Sequence, residues 1–189
     1  MKNFSIILGA IILVLFVTLV IWGVYCDNTI AITNYCVNNT KNDAKLKFVV
    51  ITDLHNKEYG EKNADLAELV KEQNPDFIAV CGDMVNRGDP DTTKMKDVLE
   101  KLSKIAPTYC CLGNHERDNA AKFGTDFKSE TNSTGAVLLD NEYIKFNKNG
   151  KSVLIGGMSD YPYYEFYTIS QFFCTTSPNT LPRTQRKPT

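Results

Sequence analysis

Histidine is scarce in this sequence, and an excess of charge of either sign is absent. The 189 residues include two histidines, His55 and His115, and carry a formal net charge of -1. A nearly neutral chain lacks the basic field with which proteins attract nucleic acid, so we predict no nucleic-acid-binding patch. A negatively charged substrate would therefore have to be held by a local site. The length suits one globular domain.

The cysteines lack the spacing of a zinc site. Six are present, and no pair of them is separated as zinc ligands usually are. Cys81, Cys110 and Cys111 lie within apolar runs, where a cysteine usually behaves as a small buried hydrophobic residue. We therefore predict no metal-binding thiolates.

An uncharged apolar segment begins the chain. Residues 4–26 contain no charged residue and, as a helix, are long enough to cross a hydrocarbon core of about 30 Å. A signal peptide is the alternative, but the run is longer than a typical signal core and no small-residue cleavage site follows it. We predict a transmembrane anchor over 1–26 in contact with lipid, in a single-pass protein of the cell membrane. The long domain that follows favours an extracytoplasmic location, because such domains translocate largely regardless of charge.

Behind a polar linker over 27–45, the pattern alternates between apolar runs and amphipathic segments. Predicted strands cover 46–52, 76–82 and 108–113, and predicted helices cover 63–73 and 93–105, the first with Asn63 as its N-cap. Continuous apolar strands separated by amphipathic helices are typical of parallel βαβ units.

The pattern is less regular after the third strand. We predict a helix over 119–128, followed by three short strands over 136–140, 142–147 and 151–157. A turn over 148–150 joins the second of these strands to the third. Residues 161–173 are rich in aromatic residues, and the end of the chain is rich in proline and basic residues. From this composition we expect a disordered tail over 166–189.

Potential metal ligands follow each of the first three predicted strands. They are Asp53 and His55, then Asp83, then Asn114 and His115. Each alone has a structural explanation, as a hydrogen-bonded histidine, a helix cap or a turn. Ligands of an open parallel sheet bind beyond the carboxyl ends of its strands, so three such ends in succession predict one site.

The residue types suit two divalent ions that clamp a phosphate and lower the pKa of a bound water. Asp83 is the natural bridging carboxylate, Asp53 and His55 would complete one ion, and the Asn114 amide oxygen would serve the other. Glycines precede two of these ligands, at Gly82 and Gly113, and would allow sharp turns and close approach of the backbone to the metals.

Three motifs in this order resemble those of the calcineurin-like metallophosphoesterases. They are Asp53-x-His55, Gly82-Asp83-x-x-Asn86 and Gly113-Asn114-His115-Glu116, and the likeness covers about 46–160. The apolar segment ahead of them resembles a bacterial membrane-anchored branch of that family. The resemblance implies an α/β fold in which an N-terminal transmembrane helix precedes an incomplete calcineurin-like αββα sandwich, as a partial domain over 46–165.

The resemblance also implies roles for three further side chains and the metals. His115 would protonate the leaving oxygen or stabilise the transition state, Asn86 would orient its ring, and Arg87 would hold the phosphate, although a solvated loop arginine is the plain alternative. Two divalent ions, manganese, iron or zinc, are expected of the family.

Two departures from the family pattern stand out. Several relatives have an aspartate where this chain has Asn86, and an amide can orient the histidine ring without stabilising its charged form. The family pattern continues with further metal-binding histidines, whereas no histidine follows His115. We therefore expect at most one well-held ion, in a truncated, frame-shifted or naturally short form of the domain.

These features predict a metal-dependent phosphoesterase that hydrolyses phosphate mono- or diesters, with impaired activity. The alternative is a catalytically inactive, membrane-anchored binding or interaction module. A two-carboxylate or thiol hydrolase is a further rival, but no Ser-His or Cys-His arrangement accompanies the strand ends. Lipid-linked phosphate, nucleotide and phosphoprotein substrates all fit the sequence.

Overall fold

The computed structural model describes residues 2–36, 45–158 and 171–175. The chain divides into two compact units, Met1–Val37 and Asn38–Thr189.

The first unit is built on one long helix, α1 (Lys2–Asp27). Its segment Ile6–Asp27 has a mean hydropathy of 2.9, and none of it is buried against protein. A helix that is apolar on all sides and this long is able to cross a membrane. Two side chains that follow α1 cap carbonyl groups of its last turn. Asn28 Nδ2 donates to the Val24 carbonyl oxygen, and Thr29 Oγ1 donates to the Tyr25 carbonyl oxygen.

The second unit contains a four-stranded parallel sheet in the order β1-β2-β3-β4. The strands are β1 (Phe48–Ile51), β2 (Phe77–Val80), β3 (Thr108–Cys110) and β4 (Val137–Leu138). Between β1 and β2 lie a 3-10 turn (Glu61–Asn63) and α2 (Ala64–Glu72), and between β2 and β3 lies α3 (Thr93–Ile105). The parallel βαβ prediction is confirmed. The first three strands end before the predicted positions, because the ligand-bearing residues leave the ladder.

Helices α2 and α3 present apolar stripes at helical spacing. Met95, Val98, Leu99 and Leu102 of α3 are buried, as are Leu66 and Val70 of α2. Alternate side chains of β2 are buried on both faces of the sheet, as expected of a central parallel strand.

A second, antiparallel sheet has the order β5-β6-β7, with β5 (Glu142–Lys148), β6 (Lys151–Met158) and β7 (Gln171–Thr175). The predicted turn between β5 and β6 is confirmed, and Asn149 and Gly150 both have positive φ, as a two-residue hairpin turn requires. Strand β7 lies within 166–189, where disorder was predicted. Those five residues instead pair with β6, and 176–189 lie outside the described residues.

The two sheets pack face to face. Their shared core joins two sets of buried side chains, Phe77, Ala79 and Tyr109 from β2 and β3, and Leu139, Val153 and Ile155 from the β4–β6 region. Gly157 lies so close to the chain after β4 that a Cβ atom there would collide with the Leu139 carbonyl oxygen. This α/β sandwich confirms the predicted fold class.

Two local predictions are wrong. The segment predicted as one helix over 119–128 forms two, α4 (Asn114–Phe123) and α5 (Phe127–Asn132), because Gly124 closes α4 in a left-handed conformation and the Asp126 side chain caps α5. Asn63 precedes α2 but makes no side-chain cap. It is left-handed, and its Oδ1 accepts from the Tyr59 N–H group.

Candidate metal centre

The chain segments that follow β1 and β2 remain paired beyond the ladder. The backbone N–H groups of Asp53, His55 and Asn56 donate to the carbonyl oxygens of Gly82, Asp83 and Met84 at 3.2, 3.0 and 2.9 Å. The loops that carry Asp53-x-His55 and Gly82-Asp83 are therefore held in register by their own backbones.

Three of the predicted metal ligands have left-handed backbones. Their φ angles are 57° at Asp53, 48° at His55 and 52° at Asp83. Such angles are uncommon for residues with a Cβ atom, although aspartate and histidine adopt them more readily than most. Clusters of unfavourable backbone conformations occur preferentially at functional sites, where surrounding contacts maintain them.

Two glycines let the loops after β2 and β3 touch. Gly82 has a φ of 81°, and a Cβ atom there would overlap the Gly113 backbone. A Cβ atom on Gly113 would in turn overlap the Asp83 carboxylate. These two glycines, predicted to let the backbone approach the metals, thus also allow close contact between the two loops.

The buried Glu116 carboxylate joins the same two loops. The side chain is 2% exposed. Its Oε2 accepts from the N–H groups of Asp83 and Gly113, both at 2.8 Å, and its Oε1 accepts from those of Met84 and Val85 at 2.7 and 3.2 Å. Several N–H donors compensate the burial of one carboxylate, and they fix the backbone on either side of Asp83.

His55, Asp83 and His115 converge on one position. Each offers a ligand atom, and these atoms lie within 4.8 Å of one another. The rings of the two histidines are 4.5 Å apart between centroids. The backbone N–H group of His115 donates to Asp83 Oδ1 at 2.9 Å, so the start of α4 is hydrogen-bonded to this carboxylate. Two imidazoles and a carboxylate suit zinc, iron or manganese, so the residues present fit a divalent metal.

Asp53 lies beside this group rather than in it. One carboxylate oxygen, Oδ1, is 3.6 Å from His55 Nε2, and the side chain is 57% exposed. The other oxygen, Oδ2, accepts from the Thr52 hydroxyl at 2.6 Å.

Asn114 lies between Asp83 and Arg87. In the orientation that satisfies both neighbours, its amide nitrogen donates to Asp83 Oδ2 at 3.0 Å and its oxygen accepts from Arg87 Nη2 at 2.7 Å. Arg87 Nε also forms an ion pair with Asp118 Oδ2 at 2.8 Å. The amide oxygen predicted to bind a second ion is thus engaged by the guanidinium group.

The His115 ring is oriented by the backbone. Its Nδ1 lies 3.2 Å from the Val85 carbonyl oxygen. Asn86, predicted to orient the ring, has an exposed side chain, and its carbonyl oxygen accepts from Asn119 Nδ2 at 2.9 Å. Among the described contacts of the ring, the backbone of Val85 takes the place foreseen for the Asn86 amide.

Thiols lie at the ends of β2 and β3, beneath the loops. Cys110 and Cys111 are buried as predicted, whereas Cys81 is partly exposed. Burial raises the pKa of the Cys110 thiol. A hydrogen bond between Cys81 and Cys111 is the largest cause of the lowered pKa at Cys81 and of the raised pKa at Cys111.

The geometry and a family comparison agree. The model of the calcineurin-like phosphoesterase family matches residues 46–187. The chain belongs to this family. The match begins at the first residue of the predicted domain and includes all three motif loops.

Curated bacterial proteins are also similar. The metallophosphoesterase YkoQ of Bacillus subtilis is 28% identical over 62% of this chain and 44% of its own length. The phosphodiesterase YaeI of Escherichia coli is 31% identical over 53% of this chain and 38% of its own. A Campylobacter jejuni metallophosphoesterase is 35% identical over 42% of this chain and 21% of its own. The chain thus spans less than half the length of these relatives.

Two residues with clear structural roles at the site were not foreseen from the sequence. The third motif contains Glu116 without indicating its role, and no sequence pattern marks Asn119. Asn119 is 1% exposed, and its side chain joins Gly88 N–H to the carbonyl oxygens of Asn86 and Asp89. Both residues lie in α4, whose sequence is polar on all sides. The spacing of apolar residues therefore does not show that these two polar side chains are buried.

Proposed function

We propose that this protein is a membrane-anchored phosphoesterase that hydrolyses phosphate mono- or diesters with a divalent metal. The convergence of His55, Asp83 and His115 beyond the parallel sheet carries this proposal, because it joins the metal-ligand types of all three motif loops. Family membership supports the reaction class. The name phosphodiesterase given to the similar protein of Escherichia coli makes diesters the first substrates to test.

The predicted metal ligands would share two ions in the proposed reaction. Asp53, His55 and Asp83 would hold one ion, and Asp83 and Asn114 would face a second. A divalent ion bound there would supply Lewis acidity and a hydroxide near neutral pH. His115 delivers a proton to the leaving oxygen, and its ring is oriented by the carbonyl oxygen of Val85, the residue before Asn86.

Arg87 supplies the positive charge for the substrate phosphate. Its guanidinium is already positioned by Asn114 and Asp118, so little side-chain entropy is lost when it binds an anion. Its remaining donors are available to phosphate oxygens, since guanidinium carries five N–H groups.

The second ion is proposed to bind weakly. Among the described residues its protein donors are Asp83 and Asn114, and the Asn114 oxygen must leave Arg87 to reach an ion. Catalytic transition metals usually have three or more protein ligands. We therefore expect slow turnover and one tightly bound equivalent of manganese, iron or zinc.

The function is tested by ester hydrolysis with the full chain in detergent and added manganese. The substrates are bis-(p-nitrophenyl) phosphate, a diester, and p-nitrophenyl phosphate, a monoester. Asp83→Asn should lower turnover by about 100-fold or more. The substitution removes the negative charge of a metal ligand and weakens the hydrogen bond that this side chain accepts from the His115 backbone. Glu100→Gln, which alters an exposed pair with Lys104 on α3, should retain full turnover.

The inactive binding module is the other candidate, and the engagement of both Asn114 and Arg87 within the site is the observation that favours it. Binding of one metal equivalent without turnover of either ester would support the binding module. Turnover that Asp83→Asn does not change would contradict both proposals for this site.

A further inference from the structure

Two of the thiols beneath the metal-site loops are direct neighbours. Cys81 follows the last residue of β2, and Cys111 follows the last residue of β3. The parallel register pairs Val80 with Cys110, which places Cys81 beside Cys111 one position further along. The Cys111 N–H group donates to the Val80 carbonyl oxygen at 3.0 Å, so the two chains are still paired there. The two side chains are also hydrogen-bonded to each other.

The two thiols share one face of the sheet, and the third thiol at this edge does not. Ala79 of β2 and Tyr109 of β3 contribute to the core between the two sheets. Side chains alternate between the faces of a strand, so Cys81 and Cys111 lie on this same face and Cys110 lies on the opposite one. Cys111 is therefore the partner within reach of Cys81, although Cys110 is adjacent to it in sequence.

Access from solvent differs between these thiols. Cys81 is partly exposed, whereas Cys110 and Cys111 are only 4% and 3% exposed. A small oxidant can thus reach Cys81 first. Disulfide formation needs only one accessible thiol, because the second thiol attacks a sulfur atom that is already attached to the protein.

Neighbouring positions of parallel strands can be joined by a disulfide, but the bond is not relaxed. Adjacent strands lie about 4.8 Å apart, within the range of about 4.4–6.8 Å for the Cα atoms of disulfides. The Cβ atoms of such neighbours are separated by about the strand spacing, whereas disulfides hold them about 3.8 Å apart. The bond therefore requires a small backbone adjustment, which makes it easier to reduce than a structural disulfide.

We propose that Cys81 and Cys111 are a redox-modification site that closes reversibly to a disulfide by exchange with a low-molecular-weight disulfide such as oxidised glutathione. The Cys81 sulfur attacks one sulfur of the reagent, which forms a mixed disulfide and releases one small thiol. The Cys111 sulfur then attacks the Cys81 sulfur and releases the second small thiol. The two cysteines lose two electrons to the reagent, and their two protons leave on the released thiols. The site needs no metal and does not rest on the proposed phosphoesterase function.

Peptide mapping of the full chain in detergent tests the proposal. The protein would be incubated with oxidised glutathione, its free thiols alkylated, and the product digested with trypsin. Cleavage after Lys71, Arg87, Lys104 and Arg117 separates Cys81, in peptide 72–87, from both other thiols, in peptide 105–117. Fragmentation of the linked peptides should show a bond from Cys81 to Cys111. A bond from Cys81 to Cys110, a mixed disulfide alone at Cys81, or unmodified Cys81 would overturn the proposal.

Two variants provide a matched comparison. Cys111→Ala should abolish the linked peptides and leave glutathione attached to Cys81, because no second thiol can displace it. Cys110→Ala should form the linked peptides as the unaltered protein does. Loss of the link in Cys110→Ala alone would show that Cys110 is the partner and would contradict the inference. The result for the unaltered protein decides the proposal even where a variant fails to fold.

Reduction of the linked protein supplies a second readout. Excess reduced glutathione should lower the yield of linked peptides by about half or more, since a disulfide that requires backbone adjustment has a higher reduction potential than a structural one. Persistence of the link under these conditions would identify a structural disulfide and would overturn the reversible site.

Discussion

Glu116 shows how a single side chain organises the metal-site loops. Its two oxygens together accept four backbone N–H groups, three from the loop after β2 and one from Gly113. The carboxylate does not supply a ligand to the group at the site, but it fixes the backbone of Asp83, which does. Because the side chain is buried, these groups have no water to replace a lost acceptor.

Glu116→Gln should therefore be strongly destabilising. A glutamine offers one acceptor oxygen, and its amide group would face N–H donors. We expect the free energy of unfolding to fall by about 2–4 kcal/mol, the cost of losing charge-assisted hydrogen bonds and leaving donors unpaired.

Urea unfolding of the full chain in detergent measures this change. Glu68→Gln is the matched control, because Glu68 forms an exposed pair with Lys71 on α2 and should contribute about 0.5 kcal/mol or less. Equal effects of the two substitutions would contradict the role given to Glu116.

Gly82 and Gly124 allow steric contact to be separated from backbone strain. Both have positive φ, but a Cβ atom on Gly82 would overlap the Gly113 backbone, whereas a Cβ atom on Gly124 would have nothing within 4 Å. Gly124→Ala should cost about 1 kcal/mol from left-handed strain alone. Gly82→Ala should cost about 3 kcal/mol, because overlap is added.

Thermal unfolding in detergent compares the two variants, and Zn²⁺ titration provides a second measurement. Gly82→Ala should also weaken metal binding, since it separates the loops of Asp83 and His115, while Gly124→Ala should not. Similar metal affinities would mean that the contact between the loops does not shape the site.

At the scale of elements, the sandwich depends on how closely β6 approaches the chain after β4. A Cβ atom on Gly157 would collide with the Leu139 carbonyl oxygen, while one on the neighbouring Gly156 would meet Tyr143 and Glu142 at ordinary distances of 3.7 and 3.8 Å. Successive strand residues point to opposite faces, so Gly157 faces the other sheet and Gly156 faces the opposite side of the strand, where a methyl group would fit.

Gly157→Ala should accordingly lower the free energy of unfolding by about 1–3 kcal/mol through overpacking. Gly156→Ala should be neutral or stabilise by up to about 1 kcal/mol, because alanine restricts the unfolded chain. Urea unfolding of the two variants checks the pair, and an equal loss in both would place the sheet contact elsewhere.

At the scale of the whole molecule, α1 is long and apolar enough to cross a membrane, and the proposed anchor can be tested through it. Each lysine at the centre of a membrane helix costs about 2.5–3.5 kcal/mol. The unaltered protein should stay with membranes after an alkaline carbonate wash, and Phe16→Lys combined with Val17→Lys should release a large fraction.

The apolar double variant Phe16→Leu with Val17→Leu is the matched control and should remain in the pellet. Release of the unaltered protein would contradict the anchor. Digestion of the second unit by protease added to intact cells would support the extracytoplasmic location, and protection would place it inside.

The sequence by itself determined the features that depend on neighbouring residues. Apolar periodicity located α3 at its observed bounds and predicted the parallel strands, because burial of one face repeats every few residues. The spacing of the motifs located His55, Asp83 and His115 at strand ends, and the hairpin turn followed from Asn149 and Gly150. These features could be predicted because each depends on a short, continuous segment.

Only the tertiary structure decided which strand-end residues meet. The contacts that shape the site join residues about 30 positions apart in the sequence. They are the hydrogen bonds from the loop after β2 to Glu116, from His115 to Val85 and from Arg87 to Asn114. Such contacts depend on the register of β2 and β3 and on the point at which α4 begins, which the pattern misplaced. Side-chain type indicates what can bind a metal, but the three-dimensional arrangement of the loops brings His115 close to His55 and Asp83 and leaves Asp53 at the edge.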